Sequence, residues 1–174
     1  MKAAIWSVSL PLLFFALAAV ADEADVTMNK IDANGVGEAI GTIHLTDTSK
    51  GLAIKPSLKG LPSGSHGLHV HESSNCGPKE RDGKPVAGLA AGGHYDRDAS
   101  GKHEGPAGKG HLGDLPVLEV AGDGTASQTI SAPRLKVADI KGRSLMIHEG
   151  GDNYSDQPKP LGGGGGRIAC GIIN

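Results

Sequence analysis

Apolar and polar positions alternate with period two in short runs along most of this chain, the pattern of strands with one buried face. The runs are Val26–Ile31, Ala39–Leu45, Gly51–Leu58, Gly67–His71, Leu115–Val120, Thr125–Ile130, Leu145–His148 and Ile168–Ile172. Eight short segments without sustained helical periodicity predict an all-β sandwich or barrel. Asn34-Gly35 and Asp123-Gly124 are hairpin signals between neighbouring runs. In Leu52-x-Ile54-x-Pro56-x-Leu58 the proline places this run at an edge or a bulge. Pro133–Lys141 fits either a turn of helix or an irregular crossing.

Two interior segments carry no strand pattern. Glu72–Asp114 is rich in glycine, charge and histidine, and Glu149–Gly166 contains Pro158, Pro160 and the run Gly162–Gly166. Loops of this length are either functional or disordered. Because strands follow both, something has to hold them, and a metal and a disulfide are the expected agents.

The N-terminus changes the accounting. Met1–Ala21 has one basic residue, Lys2, an apolar run from Ala3 to Val20, and a small-x-small ending at Ala21. That is the layout of a secretory signal peptide, with a domain at residues 22–174 after cleavage. Pro11 and the modest length argue against a permanent span, and no cysteine near the cleavage site offers a lipid anchor. Removing Lys2 leaves 16 basic against 19 acidic residues, a net charge of −3 with neutral histidines. Nothing in that balance calls for nucleic acid or an acidic membrane surface. Only Tyr95 and Tyr154 remain as aromatics, so the core must be aliphatic. In an exported protein, Cys76 and Cys170 read as one disulfide.

In a strand over Gly67–His71, Leu68 and Val70 face a core while His69 and His71 stand side by side on the other face. Imidazole is the commonest side-chain metal ligand and suits copper and zinc. His94, His103 and His111 are each framed by glycine, and with Asp114 they give three imidazoles and a carboxylate within 21 residues. That set suits a closed zinc site. His148 ends the run Leu145–Ile147 and is placed to join His69 and His71. Nitrogen ligands without sulfur suit a copper that cycles between oxidation states. Pattern alone therefore reaches an exported β-protein with a zinc-like loop and a second histidine-rich site. A metal store or delivery protein and a zinc hydrolase remain alternatives. The first suits open, methionine-rich sites, whereas only Met28 and Met146 lie outside the leader; the second lacks a His-Glu-x-x-His motif.

Gly67-Leu68-His69-Val70-His71-Glu72, Gly92-Gly93-His94, the spaced His103 and His111 with Asp114, and Gly165-Gly166-Arg167-Ile168-Ala169-Cys170-Gly171 together resemble copper,zinc superoxide dismutase. Gly101–Pro106, Gly110–Pro116 and Gly150–Gly162 resemble its bacterial, periplasmic branch, and the likeness spans Val26–Ile173. The resemblance implies an eight-stranded antiparallel Greek-key sandwich or flattened barrel, Ig-like, with two long functional loops. It implies one copper on His69, His71, His94 and His148, and one zinc on His94, His103, His111 and Asp114, with His94 bridging as an imidazolate. Asp152 would link a copper histidine to a zinc histidine, Arg167 would stand at the open copper position, and Cys76 would pair with Cys170. His66 matches a non-ligand histidine, and His44 is expected to face solvent.

The implied reaction disproportionates superoxide to oxygen and hydrogen peroxide, with His94 and Arg167 as catalytic residues, protecting the exported compartment. Lysines near the channel, among Lys55, Lys59, Lys79 and Lys84, would help steer the anion. Within this branch the chain is a monomer or a homodimer. Glu149 after His148 and Gly166 before Arg167 depart from the usual bacterial pattern without touching a ligand.

Overall fold

The computed structural model describes residues 21–174, so the expected signal peptide lies outside the described residues apart from Ala21. In chain order the elements are β1 (Glu23–Asp32), β2 (Gly35–Thr48), β3 (Gly51–Leu58), β4 (Gly64–His66), β5 (Leu68–His71), β6 (Lys79–Arg81), β7 (Lys84–Val86), β8 (Leu118–Val120), β9 (Ile130–Ala132), α1 (Val137–Ile140), β10 (Arg143–His148) and β11 (Arg167–Ile173). Seven strands form one antiparallel sheet in the order β5-β10-β11-β1-β2-β3-β9; β4 pairs with β8, and β6 with β7. The all-β expectation holds. Seven of the eight expected runs coincide with a strand, the run Thr125–Ile130 meets one only at Ile130, and β4, β6 and β7 are short additions. No helix among the described residues is long and apolar enough to cross a membrane.

Alternation does what the pattern predicts. Val26 and Met28 on β1, Ile43 and Leu45 on β2, Leu52 and Ile54 on β3, Leu68 and Val70 on β5, and Leu145 and Ile147 on β10 all enter one buried cluster. Each such side chain contributes about 1.5–3 kcal/mol by leaving water. At Asn34-Gly35 the β1–β2 hairpin forms, with Asp32 Oδ1 accepting the amides of Asn34 (2.7 Å) and Gly35 (3.1 Å). Pro56 sits where β3 has no partner on the β9 side, between the Ile54–Ile130 pair and the isolated Leu58–Ala126 bridge. A residue without an N–H loses nothing there.

Two expectations need correction. The turn at Asp123-Gly124 closes, with Ala121 N donating to Thr125 O at 2.8 Å, but its flanks do not pair into a hairpin. β8 starts at Leu118 and pairs with β4, whereas the following run is extended only at Ile130–Ala132 and pairs with β3. The turn thus crosses between two sheets, and Leu118 and Ala132 on its two sides both enter the common core. The second correction concerns Glu72–Asp114, which contains the β6–β7 hairpin at Asp82-Gly83 and also has apolar anchors: Ala91, Leu112 and, just beyond, Leu115 are buried. Pro133–Lys141 resolves as a single helical turn, its Val137 amide held by Asp47 Oδ1 at 2.8 Å.

β5 is an edge strand of the large sheet, and the first long loop completes it. Val70 N donates to Gly113 O (2.9 Å), Tyr95 N to Val70 O (2.8 Å) and Glu72 N to Gly93 O (3.1 Å). Covering an edge in this way satisfies its backbone groups and blocks pairing with another chain. The outer face carries a second small core of Ile31, Cys76, Ala91, Met146 and Cys170. Within it Cys76 and Cys170 form the expected disulfide, 94 residues apart in sequence, pinning the loop to β11.

A cross-link over about 100 residues is worth at most about 4.7 kcal/mol in the chain-entropy view, and commonly 2–4. Replacing both cysteines by serine is expected to lower the unfolding free energy by about 2–4 kcal/mol in urea titrations. A change below about 0.5 kcal/mol would mean that backbone pairing along β5 holds the loop alone.

Candidate metal centre

β5 and β10 lie side by side with Met146 opposite His69 and Ser144 opposite His71. The outer-facing side chains of β5 are therefore His69 and His71, and His148 ends β10 beside them. The two long loops roof this face, and both strand histidines are fully buried. His94 joins through the bridge His71–His94 and Asp114 through the bridge His69–Asp114.

The structure brings together all the expected ligands. Donor atoms of His69, His71, His94 and His148 lie within 4.8 Å of one another, as do those of His69, His94, His103 and Asp114. His111 is placed less tightly, its Nδ1 3.4 Å from Asp114 Oδ1. His94 belongs to both groups, as the family pattern implies, and so does His69, whose ring stacks on His94 at 3.8 Å.

One nitrogen of each imidazole on the two strands is spoken for by an acceptor. His69 Nε2 donates to Asp152 Oδ2 (2.8 Å), His71 Nδ1 to Gly92 O (3.0 Å) and His148 Nδ1 to Gly165 O (3.4 Å). His103 Nε2 donates to Asp152 Oδ1 at 2.7 Å. Such partners fix the tautomer and leave the other nitrogen as a lone pair. Those lone pairs converge. His71 Nε2 and His148 Nε2 face each other at 3.3 Å, and His69 Nδ1, His94 Nε2, His103 Nδ1 and His111 Nδ1 are buried without a hydrogen-bond partner. His103 Nδ1 is 3.0 Å from Asp114 Oδ2 yet makes no hydrogen bond. Buried polar atoms are rarely left unpaired. A convergence of lone pairs and a carboxylate is what cations require, so the residues fit two metals.

Asp152 is the keystone of the roof. Gly162, in the left-handed region at φ +70°, lies so close that a Cβ there would collide with Asp152 Oδ1 and approach His103 Nε2 to 2.8 Å. A glycine is required at this position. Asp156 adds a second tie, accepting the amides of His103 (2.9 Å) and Leu161 (3.1 Å). Nothing in the sequence pattern singles out Asp156.

Beside the first histidine group lies a cavity of about 280 Å³, lined by Arg81, Val86, Leu89, His94, His148, Pro160, Leu161, Gly165, Gly166 and Arg167. Arg167 donates to Gly88 O (2.6 Å) and Gly92 O (2.7 Å), carbonyls that flank a 3-10 turn at Leu89–Ala91. Burial, then the neighbouring Arg81, lowers its pKa, and among the described residues no carboxylate pairs with it. None of Lys55, Lys59, Lys79 and Lys84 lines this cavity. Arg81 does; the Asp82-Gly83 turn signal beside it marks a hairpin that sequence reasoning passed over. His66 is buried and bound by carbonyls of His148 (2.8 Å) and Pro62 (2.9 Å), while His44 is half-buried beside Asp25 (2.7 Å), and neither belongs to a ligand group.

A family model described as copper/zinc superoxide dismutase (SODC) matches residues 39–173. The chain belongs to the copper,zinc superoxide dismutase family. It is 55% identical over 168 residues to copper-zinc superoxide dismutase 2 of Salmonella typhimurium, covering 96% of this chain and 97% of that one. The Escherichia coli copper-zinc superoxide dismutase is 53% identical over 169 residues, covering 97% and 98% respectively. Among solved structures, the Brucella abortus copper/zinc enzyme aligns with TM-score 0.86 at 51% identity, covering 88% of this chain and all of that one. The disulfide and the two ligand clusters thus occur in a chain whose relatives carry these two metals in their names.

Without metal, the dismutase histidines have divergent acidities. Burial lowers the pKa of His69 and His71, and takes His94 to about 4 and His148 to about 2. Burial opposes the charge of His103 as well, but the Asp114 and Asp152 carboxylates override it and raise its pKa to about 9. The same contacts overcome burial and lower both aspartates. Histidines with a depressed pKa bind protons more readily when unfolded, so their contribution is complete above 6.5 and is lost as pH falls towards 4. His103 has the opposite sign: its contribution is complete below 6.5 and is lost as pH rises through about 9. Urea titrations of metal-free protein are therefore expected to show highest stability near pH 6.5, falling on both sides. A stability constant from pH 4 to 9 would show that these groups titrate alike in both states.

Proposed function

We propose that this dismutase works in the periplasm after removal of residues 1–21, with one copper and one zinc bound by residues 22–174. In this reading His69, His71, His94 and His148 hold copper, and His94, His103, His111 and Asp114 hold zinc. The observation that carries it is the convergence of buried, partnerless imidazole nitrogens directly beneath a cavity holding two arginines. Bound copper would supply a one-electron couple, reduced by one superoxide and reoxidised by the next, while zinc would supply fixed charge.

The chain's own residues do the rest. Arg167, with its charge uncompensated and its fork fixed by two carbonyls, binds the anion beside His94 and His148. Arg81 extends the positive field outward. The chain is negative overall, so attraction has to be local; charge focusing in clefts, for which superoxide dismutase is itself a known example, raises on-rates by about 10- to 1000-fold. His94 lines the cavity with its Nδ1 held by Asp114 Oδ1 at 3.0 Å, and its partnerless Nε2 is the atom available to hold and deliver one of the two protons that peroxide needs. Asp152 keeps His69 and His103 in the tautomers that leave Nδ1 available on each. The partners are superoxide and, in a homodimer, a second copy; the Salmonella enterica relative whose structure is described as monomeric supports a monomer.

Superoxide loss should scale with copper content in purified mature protein and require both metals near one per chain. His148→Ala is expected to lose turnover and copper while retaining zinc, and Asp114→Ala to lose thermal stability more than copper. Both metals bound without turnover would leave a storage or delivery role instead. Steering has its own signature. Arg167→Gln should lower kcat/KM by about tenfold or more and Arg81→Gln by about two- to fivefold, both flattening the fall of rate with added salt. An unchanged salt dependence in Arg81→Gln would remove that residue from the field.

A further inference from the structure

We propose that Leu161 is a lip that filters what reaches the copper side of this centre by size and hydration, a role that rests on the functional reading above. Three large apolar side chains are exposed among the described residues, Val36, Tyr154 and Leu161, and of these only Leu161 lines the cavity above His94 and His148. Leu161 is 42% exposed and has φ +55°, in the left-handed region. Both features are costly for leucine, and glycine would remove both. The next five residues, Gly162–Gly166, are all glycine, so the side chain at 161 interrupts a segment otherwise built to follow any turn.

The backbone is held in this conformation from both sides. Asp156 Oδ1 accepts the Leu161 amide at 3.1 Å, and Gly164 N donates to the Leu161 carbonyl at 3.4 Å. The other oxygen of Asp156 accepts the amide of His103, so the lip is tethered to the loop that carries the zinc-side ligands. Pro160 beside it, and Val86 and Leu89 from a distant segment, are the other large apolar residues lining the cavity that holds Arg81 and Arg167, and in this proposal they form its rim with Leu161. A solute entering past such a rim sheds water at a cost that grows with its charge and number of polar atoms. A small monoanion enters and recovers that cost at the arginines. A multiply charged or bulky chelator does not.

The test uses protein loaded with copper and zinc, metal content being measured first. Azide serves as the small anion, read by the shift it causes in copper absorption. Ethylenediaminetetraacetate serves as the bulky one, read by the rate at which it removes copper. Leu161→Gly should speed removal about tenfold, the scale on which a small apolar contact discriminates, while azide affinity changes less than about twofold. The melting temperature of the variant should rise as the backbone strain is relieved. Leu161→Asn, whose side chain tolerates the same backbone conformation, should act in the same direction if the glycine variant fails to fold. Removal at the parent rate in both variants would overturn the proposal, as would an equal gain for azide and chelator. A parent chain that binds no copper would take away the site that the lip guards and would refute the functional reading at the same time.

Discussion

Both oxygens of one buried carboxylate are committed here, and the metal centre takes its shape from that commitment. Asp152 accepts from His69 at 2.8 Å and from His103 at 2.7 Å, residues 83 and 49 positions away. It also accepts the amide of Tyr154 at 2.7 Å, which anchors its own loop. Each imidazole that donates to it turns its other nitrogen inward as a lone pair. Remove the carboxylate and two tautomers, the seating of Gly162 and the contact between the two long loops lose their common support. Burial strengthens these bonds, because no water competes for them.

The roof over the histidines is built from ordinary folding forces as well as from ligand chemistry. Main-chain bonds along the edge of β5, the buried Leu112 and Leu115, and the Cys76–Cys170 bond hold the first loop before any metal is considered. Carboxylates at 152 and 156 then hold the second loop to the first. Metal binding completes a scaffold that is already largely organised, which lowers the ordering cost at the moment of binding.

Charge is distributed with the same economy. The chain is negative overall, yet the cavity above the centre gathers Arg81 and Arg167 and no carboxylate. Arg167 stays unpaired because its fork is spent on the carbonyls of Gly88 and Gly92. Gly88 makes the approach possible: at φ +62°, a Cβ there would come within 2.7 Å of Ile31 and 3.3 Å of the Arg167 side chain. An uncompensated guanidinium in a cavity without carboxylates is what the proposed anion site requires.

What the sequence determined by itself is local. Alternation located seven of the strands, with β3 at the bounds expected, and the His-x-His of β5 could only present both imidazoles on one face because a strand repeats every two residues. The donor types, the glycine frames around His94, His103 and His111, and a lone cysteine pair were equally legible, and resemblance supplied the grouping of ligands. Tertiary structure decided everything that depends on distance through space. It sent the flanks of Asp123-Gly124 into different sheets, brought Arg81 rather than the lysines to the cavity, and set Asp156 between two loops. It also chose which nitrogen of each imidazole is spent on a neighbour and which faces the centre. Periodicity reports which way a side chain points from its own backbone. It carries no information on which residues eighty positions away will meet that side chain, because their meeting is set by core packing and loop closure over the whole chain.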